Sequence, residues 1–246
     1  MVKRPKSDGR CIHCRERMVK PTKDHVFPDS WYPMSTSSKV QRWTAPSCGN
    51  CNHEFGEMEK ELFVRLALCV DPRKIGATGL SKRAVRSFGV DAPGISTDER
   101  RHREALRDRI RDEIKPYSSE AEDHALPGLG SHPGFAAEQL RQIEIPAVMV
   151  HAVAKKIVRG VEYWLANGRM VEPPYELDIH FVRETPPDVL KAVAPSNPIY
   201  LGPGFRVRRA NAADDSGIVM YEVIVWESLT FYAVILPPET PDTPKR

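Results

Sequence analysis

No apolar run in the sequence reaches the roughly 18 residues that a membrane-spanning helix requires. The nearest candidate, Ile218 to Leu236, is interrupted by Glu222 and Glu227. No apolar segment follows the basic N-terminus, so no secretory leader is expected and the location is read as cytoplasmic. A large charge excess is missing too. Lys and Arg number 36 against 33 Asp and Glu, a net +3 that is too near neutral to imply a polyanionic partner by itself. There is no internal repeat. Nor does the composition resemble that of a disordered chain, with 41% hydrophobic and 28% charged residues. The 246 residues suffice for one large or two small domains with a buried core.

What is present is uneven. Residues 1–23 carry eight bases (Lys3, Arg4, Lys6, Arg10, Arg15, Arg17, Lys20, Lys23) and two acids, a local excess able to attract phosphates or to form a solvated arm. Twenty-two prolines argue for many irregular connections. Phe55, Met58, Leu62, Leu66 and Cys69 recur at three- and four-residue steps, which predicts a helix ended by Asp71-Pro72, with Cys69 packed in the core. Residues 73–96 read as a connection with a short helix, and Thr97 to Lys115 as a solvated helix of seven bases and six acids. The Pro- and Gly-rich stretch 116–134 marks the best domain boundary. Beyond it, Pro146 opens a helix whose stripe runs from Val150 to Leu165 and stops at Asn167-Gly168. Phe205 to Ala210, Ile218 to Trp226 and Leu229 to Leu236 then read as strands, with a turn at Asp214 to Gly217 and a frayed tail from Pro237.

Five cysteines carry the strongest signal. Cys11/Cys14 and Cys48/Cys51 are two C-x-x-C pairs separated by 33 residues. Each pair makes a knuckle aiming two thiolates at one point, and four thiolates complete a tetrahedral zinc site. His13, inside the first knuckle, could substitute for a thiolate but is not needed. Between the knuckles lies Asp24-His25-Val26-Phe27-Pro28, and Asn52 follows the second. Asp24 and the Asn52 amide oxygen are hard donors suited to Mg²⁺ or Mn²⁺. On a strand His25 would point to the opposite side from Asp24, where a neutral imidazole can take a proton from an attacking water.

Taken together, Cys11-x-x-Cys14, Asp24-His25-Val26-x-Pro28 and Cys48-x-x-Cys51-Asn52 resemble the HNH endonucleases with a zinc-bound ββα-metal core, over about residues 11–70. The resemblance implies that Asp24 and Asn52 bind a catalytic divalent ion, His25 is the general base, and the four cysteines hold structural zinc. It implies hydrolysis of nucleic-acid backbones, usually DNA. Two positions depart from the family pattern. Trp43 stands nine residues before Asn52, where many members have an asparagine that orients the base. Phe55 stands three residues after Asn52, where a lysine is common, with Glu54, Glu57 and Glu59 nearby. The expected class is therefore α+β: an HNH-like zinc domain (1–72), a helical and irregular linker (73–134), and an α+β domain with antiparallel strands (135–246), whose role and oligomeric state, a dimer included, stay open. Two alternatives remain: a catalytically degenerate zinc-stabilised module that binds nucleic acid or protein, and a C-x-x-C redox protein. Among further residues, His53 is a candidate metal ligand or phosphate contact or an exposed helix residue, Lys39, Arg42, Arg206 and Arg208 are candidate phosphate contacts or solvated charges, and Trp31 and Tyr32 are read as core.

Overall fold

The computed structural model describes residues 5–90, 94–118, 126, 129, 136–213 and 216–238. Lys3 and Arg4 of the basic arm, most of the stretch proposed as a domain boundary, turn residues Asp214 and Asp215 and the tail beyond Pro238 lie outside the described residues. The class is mixed α+β with antiparallel pairing throughout the described sheets.

Strand β1 (Thr22–His25) pairs antiparallel with β2 (Thr44–Ser47), setting Asp24 opposite Ala45 and His25 opposite Thr44. The chain passes from β2 into helix α1 (Gly49–Cys69), whose N-cap is Cys48; its sulfur accepts the Cys51 N–H. Burial on α1 concentrates at Leu62, Phe63, Val64, Leu66 and Ala67, the second half of the apolar stripe. Val70 is extended ahead of Asp71-Pro72, as a residue pair disfavouring further helix requires. Helix α2 (Leu80–Ser87) packs on α1. Helix α3 (Thr97–Glu113) starts with a Ser96 cap bonded to the Glu99 N–H. It buries little besides Ile110, and a two-bond ion pair from Arg65 to Glu113 ties it to α1. Short strands β3 (Lys115–Pro116) and β4 (Arg141–Gln142) pair with each other.

Helix α4 (Ala147–Leu165) is the hinge of the architecture. Pro146 sits at its N-cap, one position earlier than the first helical residue expected from sequence, and Asn167 and Gly168 end it with positive φ of 52° and 99°. A five-stranded antiparallel sheet follows, in the order β5–β9–β8–β7–β6, with β5 Glu176–Phe181, β6 Ile199–Tyr200, β7 Phe205–Asn211, β8 Val219–Val225 and β9 Leu229–Leu236. Helix α5 (Pro187–Val193) covers one sheet face through Val189 and Val193 against Met220, Tyr232 and Val234. The alternate residues Val219, Tyr221, Val223, Phe231, Ala233 and Ile235 face the other way. There they join α4, α1 and the β1–β2 hairpin in one continuous buried cluster. Aromatic contacts stitch it: Trp31 with Trp226, Phe27 with Phe205, and Trp43 stacked on Trp164 at 4.9 Å and 7°. Gly160 makes the close approach possible, because a Cβ there would stand 2.7 and 2.9 Å from the two methyls of Val26.

Candidate functional site

The two knuckles meet because the hairpin holds them together. The Ile12 N–H bonds the Pro46 carbonyl at 2.9 Å, fastening the first knuckle to β2, and Cys48 follows β2 directly. Arg15 turns the first knuckle with a positive φ of 64°. The Sγ atoms of Cys11, Cys14, Cys48 and Cys51 all lie within 4.8 Å of one another, and Cys14 and Cys48 are 3.8 Å apart. Four sulfurs about 2.3 Å from a common tetrahedral centre would be separated by roughly 3.8 Å, so this donor set fits zinc. Amides from the His13 and Cys51 backbone point at Cys11 and Cys48 sulfurs, at 3.4 and 3.5 Å. Burial pushes the Cys11 thiol up, but the amides of Cys14, Cys48 and His13 outweigh it and bring it down to about 7. The Cys51 thiol moves the other way, raised by burial and then by the neighbouring sulfurs. The Cys11 thiolate forms readily while the Cys14 and Cys51 thiols are held up, so a bound cation would favour charging the set.

Asp24 and His25 occupy opposite sides of β1. Asp24 is turned inward and 5% exposed. Its Oδ2 lies 2.8 Å from His13 Nε2 and its Oδ1 lies 2.8 Å from Lys156 Nζ. Burial raises the Asp24 carboxyl, yet the His13 bond and the Lys156 charge hold it below its ordinary value. Burial lowers His13, which fits a neutral ring donating its Nε2–H to Asp24. Among the described residues its Nδ1 is buried without a hydrogen-bond partner, and its ring packs on Phe55 at 4.6 Å. His13 thus serves the carboxylate, leaving the knuckle to the four sulfurs. His25 is half-exposed at the end of β1, with Nε2 4.0 Å from Asp29 Oδ1. Asp29 in turn pairs with Arg42, whose guanidinium also lies 4.9 Å over the Tyr32 ring.

The helix residue that meets Asp24 is Glu59. Lys156, 2% exposed, donates to the His25 carbonyl at 2.6 Å and pairs with both Asp24 and Glu59. Burial raises Glu59 to about 7 against the pull of Lys156. Asn52 lies seven residues before Glu59, on the same helix face but about 10 Å along the axis. Among the described residues no hydrogen bond joins its amide to Asp24 or His25. A divalent ion shared by Asp24 and Asn52 is therefore a poor fit to this arrangement, since both Asp24 oxygens are taken up and the convergent oxygens belong to Glu59 and to the His25 backbone. Sequence reasoning noted Glu59 only as a nearby acid and passed over Lys156. The available signal was Lys156 itself, a charge set into the apolar stripe between Val153 and Ile157.

The remaining candidates fall into place around this centre. Trp43 is buried against Trp164, whose Nε1 donates to the Thr44 carbonyl at 3.0 Å, so helix packing claims the position where the family pattern has an asparagine. Trp31 and Tyr32 are core. Cys69 is partly buried, with its thiol pushed up to about 11 by burial. Arg206 and Arg208 both reach Glu222, at 3.5 and 2.8 Å, which uses their charge within the sheet. No described helix is long and apolar enough to cross a membrane. In comparisons with known proteins, the chain matches no family model, no curated protein and no solved structure.

Proposed function

We propose that the β1–β2–α1 unit is an HNH-like nuclease core, and that the protein is a metal-dependent endonuclease hydrolysing phosphodiester bonds of nucleic acid, with DNA the first substrate to test. The observation that supports this reading best is the division of labour on β1: Asp24 is locked inward while His25, its neighbour, stands at the surface beside Asp29. A half-exposed imidazole can accept a proton from water attacking a phosphate, and the Asp29 carboxylate lies 4.0 Å from its Nε2. The sulfur cluster braces the hairpin against the start of α1, away from His25. Arg42, held on Asp29, supplies a positive charge on the same side.

With Mg²⁺ or Mn²⁺, purified protein is expected to nick plasmid DNA. His25→Ala should slow cutting by about 10²–10⁴-fold, the usual contribution of a general base, with unchanged zinc content and circular dichroism. Full-rate cutting by that variant would remove His25 from the chemistry. One observation favours a second reading, a zinc-stabilised binding module without turnover: the Lys156 ammonium sits on the carboxylate assigned to the metal. DNA binding with no cleavage by either protein would select it.

A further inference from the structure

We propose that the hollow between α2 and α3 docks the backbone phosphates of a nucleic-acid duplex, through Lys82, Arg83, Arg86 and Arg103. Nucleic acid as the partner rests on the nuclease reading above, whereas the surface itself lies outside residues 11–70, which carry the family resemblance.

Charge is distributed unevenly between the two helices. Residues 72–90 hold five bases and no acid. On α3 the arginines meet acids of their own helix: Arg101 lies against Asp98, Arg103 against Glu99 and Arg111 against Asp108. Helix α2 lacks such partners. Among the described residues no carboxylate lies within ion-pair distance of Lys82, Arg83 or Arg86. Arg83 Nη1 donates instead to the carbonyls of Ser30 and Tyr32, the second at 2.8 Å. Neutral acceptors fix the guanidinium and leave its charge uncancelled. Lys82 and Arg86 are exposed.

Between the helices is an open hollow of about 450 Å³, lined by Arg83, Arg86, Ser87, Gly89 and Arg103. Arg103 reaches from α3 to the end of α2, where its Nη1 donates to the Gly89 and Arg86 carbonyls at 3.1 and 3.3 Å. That contact offsets the negative end of α2, which would otherwise repel an anion. Three guanidiniums thus border one hollow, and their planar forks match phosphate oxygens.

Position favours a long polyanion over a free phosphate. Arg83 is bonded to Ser30, next in sequence to Asp29, whose carboxylate lies 4.0 Å from His25 Nε2 and pairs with Arg42. The hollow therefore adjoins the surface that carries the candidate base. A strand whose scissile phosphate reaches His25 would present flanking phosphates to α2. Backbone contacts of this kind fix register and orientation without reading sequence.

The test is binding of a labelled DNA duplex to the zinc-loaded full-length protein in buffer free of Mg²⁺ and Mn²⁺, so that no cutting intervenes. Lys82→Gln with Arg86→Gln removes two exposed charges and should leave melting unchanged. This pair is expected to weaken binding at least about tenfold. It should also make the slope of log K against log salt shallower by roughly 1.8, about 0.9 for each lost phosphate contact. Arg101→Gln with Arg111→Gln removes the same charge from the ion pairs of α3 and should change both quantities far less. No binding by wild type, unchanged binding by the α2 pair, or an equal loss in the α3 pair would each overturn the proposal. Duplex binding that depends on α2, with no nicking once Mg²⁺ is added, would end the nuclease reading and leave this docking surface standing. Nicking by wild type that is indifferent to the α2 pair would do the reverse.

Discussion

Glu59 is where burial and attraction pull against each other. Low exposure raises its carboxyl to about 7, from an ordinary value of 4.5, while Lys156 opposes the rise. Between those two values the folded protein holds a proton that the unfolded chain has released, so stability falls as pH climbs from about 4.5 to about 7. Asp24 behaves oppositely. Its carboxyl is held below 3.8, so its contribution is present above that value and is lost as pH drops through the folded pKa. Burial lowers His13 and gives an opposite slope in both proteins, so chemical denaturation across pH 4.5 to 7 should show a more negative slope in wild type than in Glu59→Gln. An unchanged slope would mean that Glu59 ionises as an ordinary surface acid. At the same scale, the alternation of β1 was legible in the sequence: Asp24 and His25, being adjacent on a strand, had to face opposite ways. Their partners were not legible. Lys156 is 131 residues beyond His25, and nothing in local patterning links a lysine on one helix to a carbonyl on a distant strand.

Among the elements, α1 and α4 could be read from apolar spacing and from the residues that stop them. The three C-terminal strands were equally clear from their period of two. Strand β5 was missed as an element although Leu177, Ile179 and Phe181 alternate inward, because its six residues follow a proline-rich turn and pair with β9 far along the chain. The close packing of α4 on the hairpin was also hidden, since Gly160 reads locally as a weak helix residue. Its role is testable. Alanine gains roughly 1 kcal/mol over glycine in helix propensity, but here the added methyl would collide with the branched, stiff Val26. Overpacking of this kind costs about 1–3 kcal/mol, so Gly160→Ala is expected to be net destabilising. Joint replacement with Val26→Ala should recover part of the loss. Stabilisation by Gly160→Ala alone would show that α4 does not press on β1 as described.

For the whole molecule, the decisive feature is that one buried cluster spans the hairpin, α1, α4 and the large sheet. Structural zinc contributes on the order of 10 kcal/mol in small domains, comparable with the total of about 5–15 kcal/mol that holds a typical protein folded. Cys48→Ser should thus leave the protein largely unfolded as a unit, with calorimetry showing a single transition in wild type and no separate, persisting C-terminal transition in the variant. A sheet that melts unchanged without zinc would show that the two parts are energetically separate. Order of synthesis gives the buried lysine a further meaning. Asp24 and Glu59 leave the ribosome before Lys156, Glu59 some five to twenty seconds earlier at elongation rates of about 5–20 residues per second. For that interval the nascent hairpin and helix present Asp24 and Glu59 without the ammonium that later sits between them, and only the arrival of α4 joins the two acids.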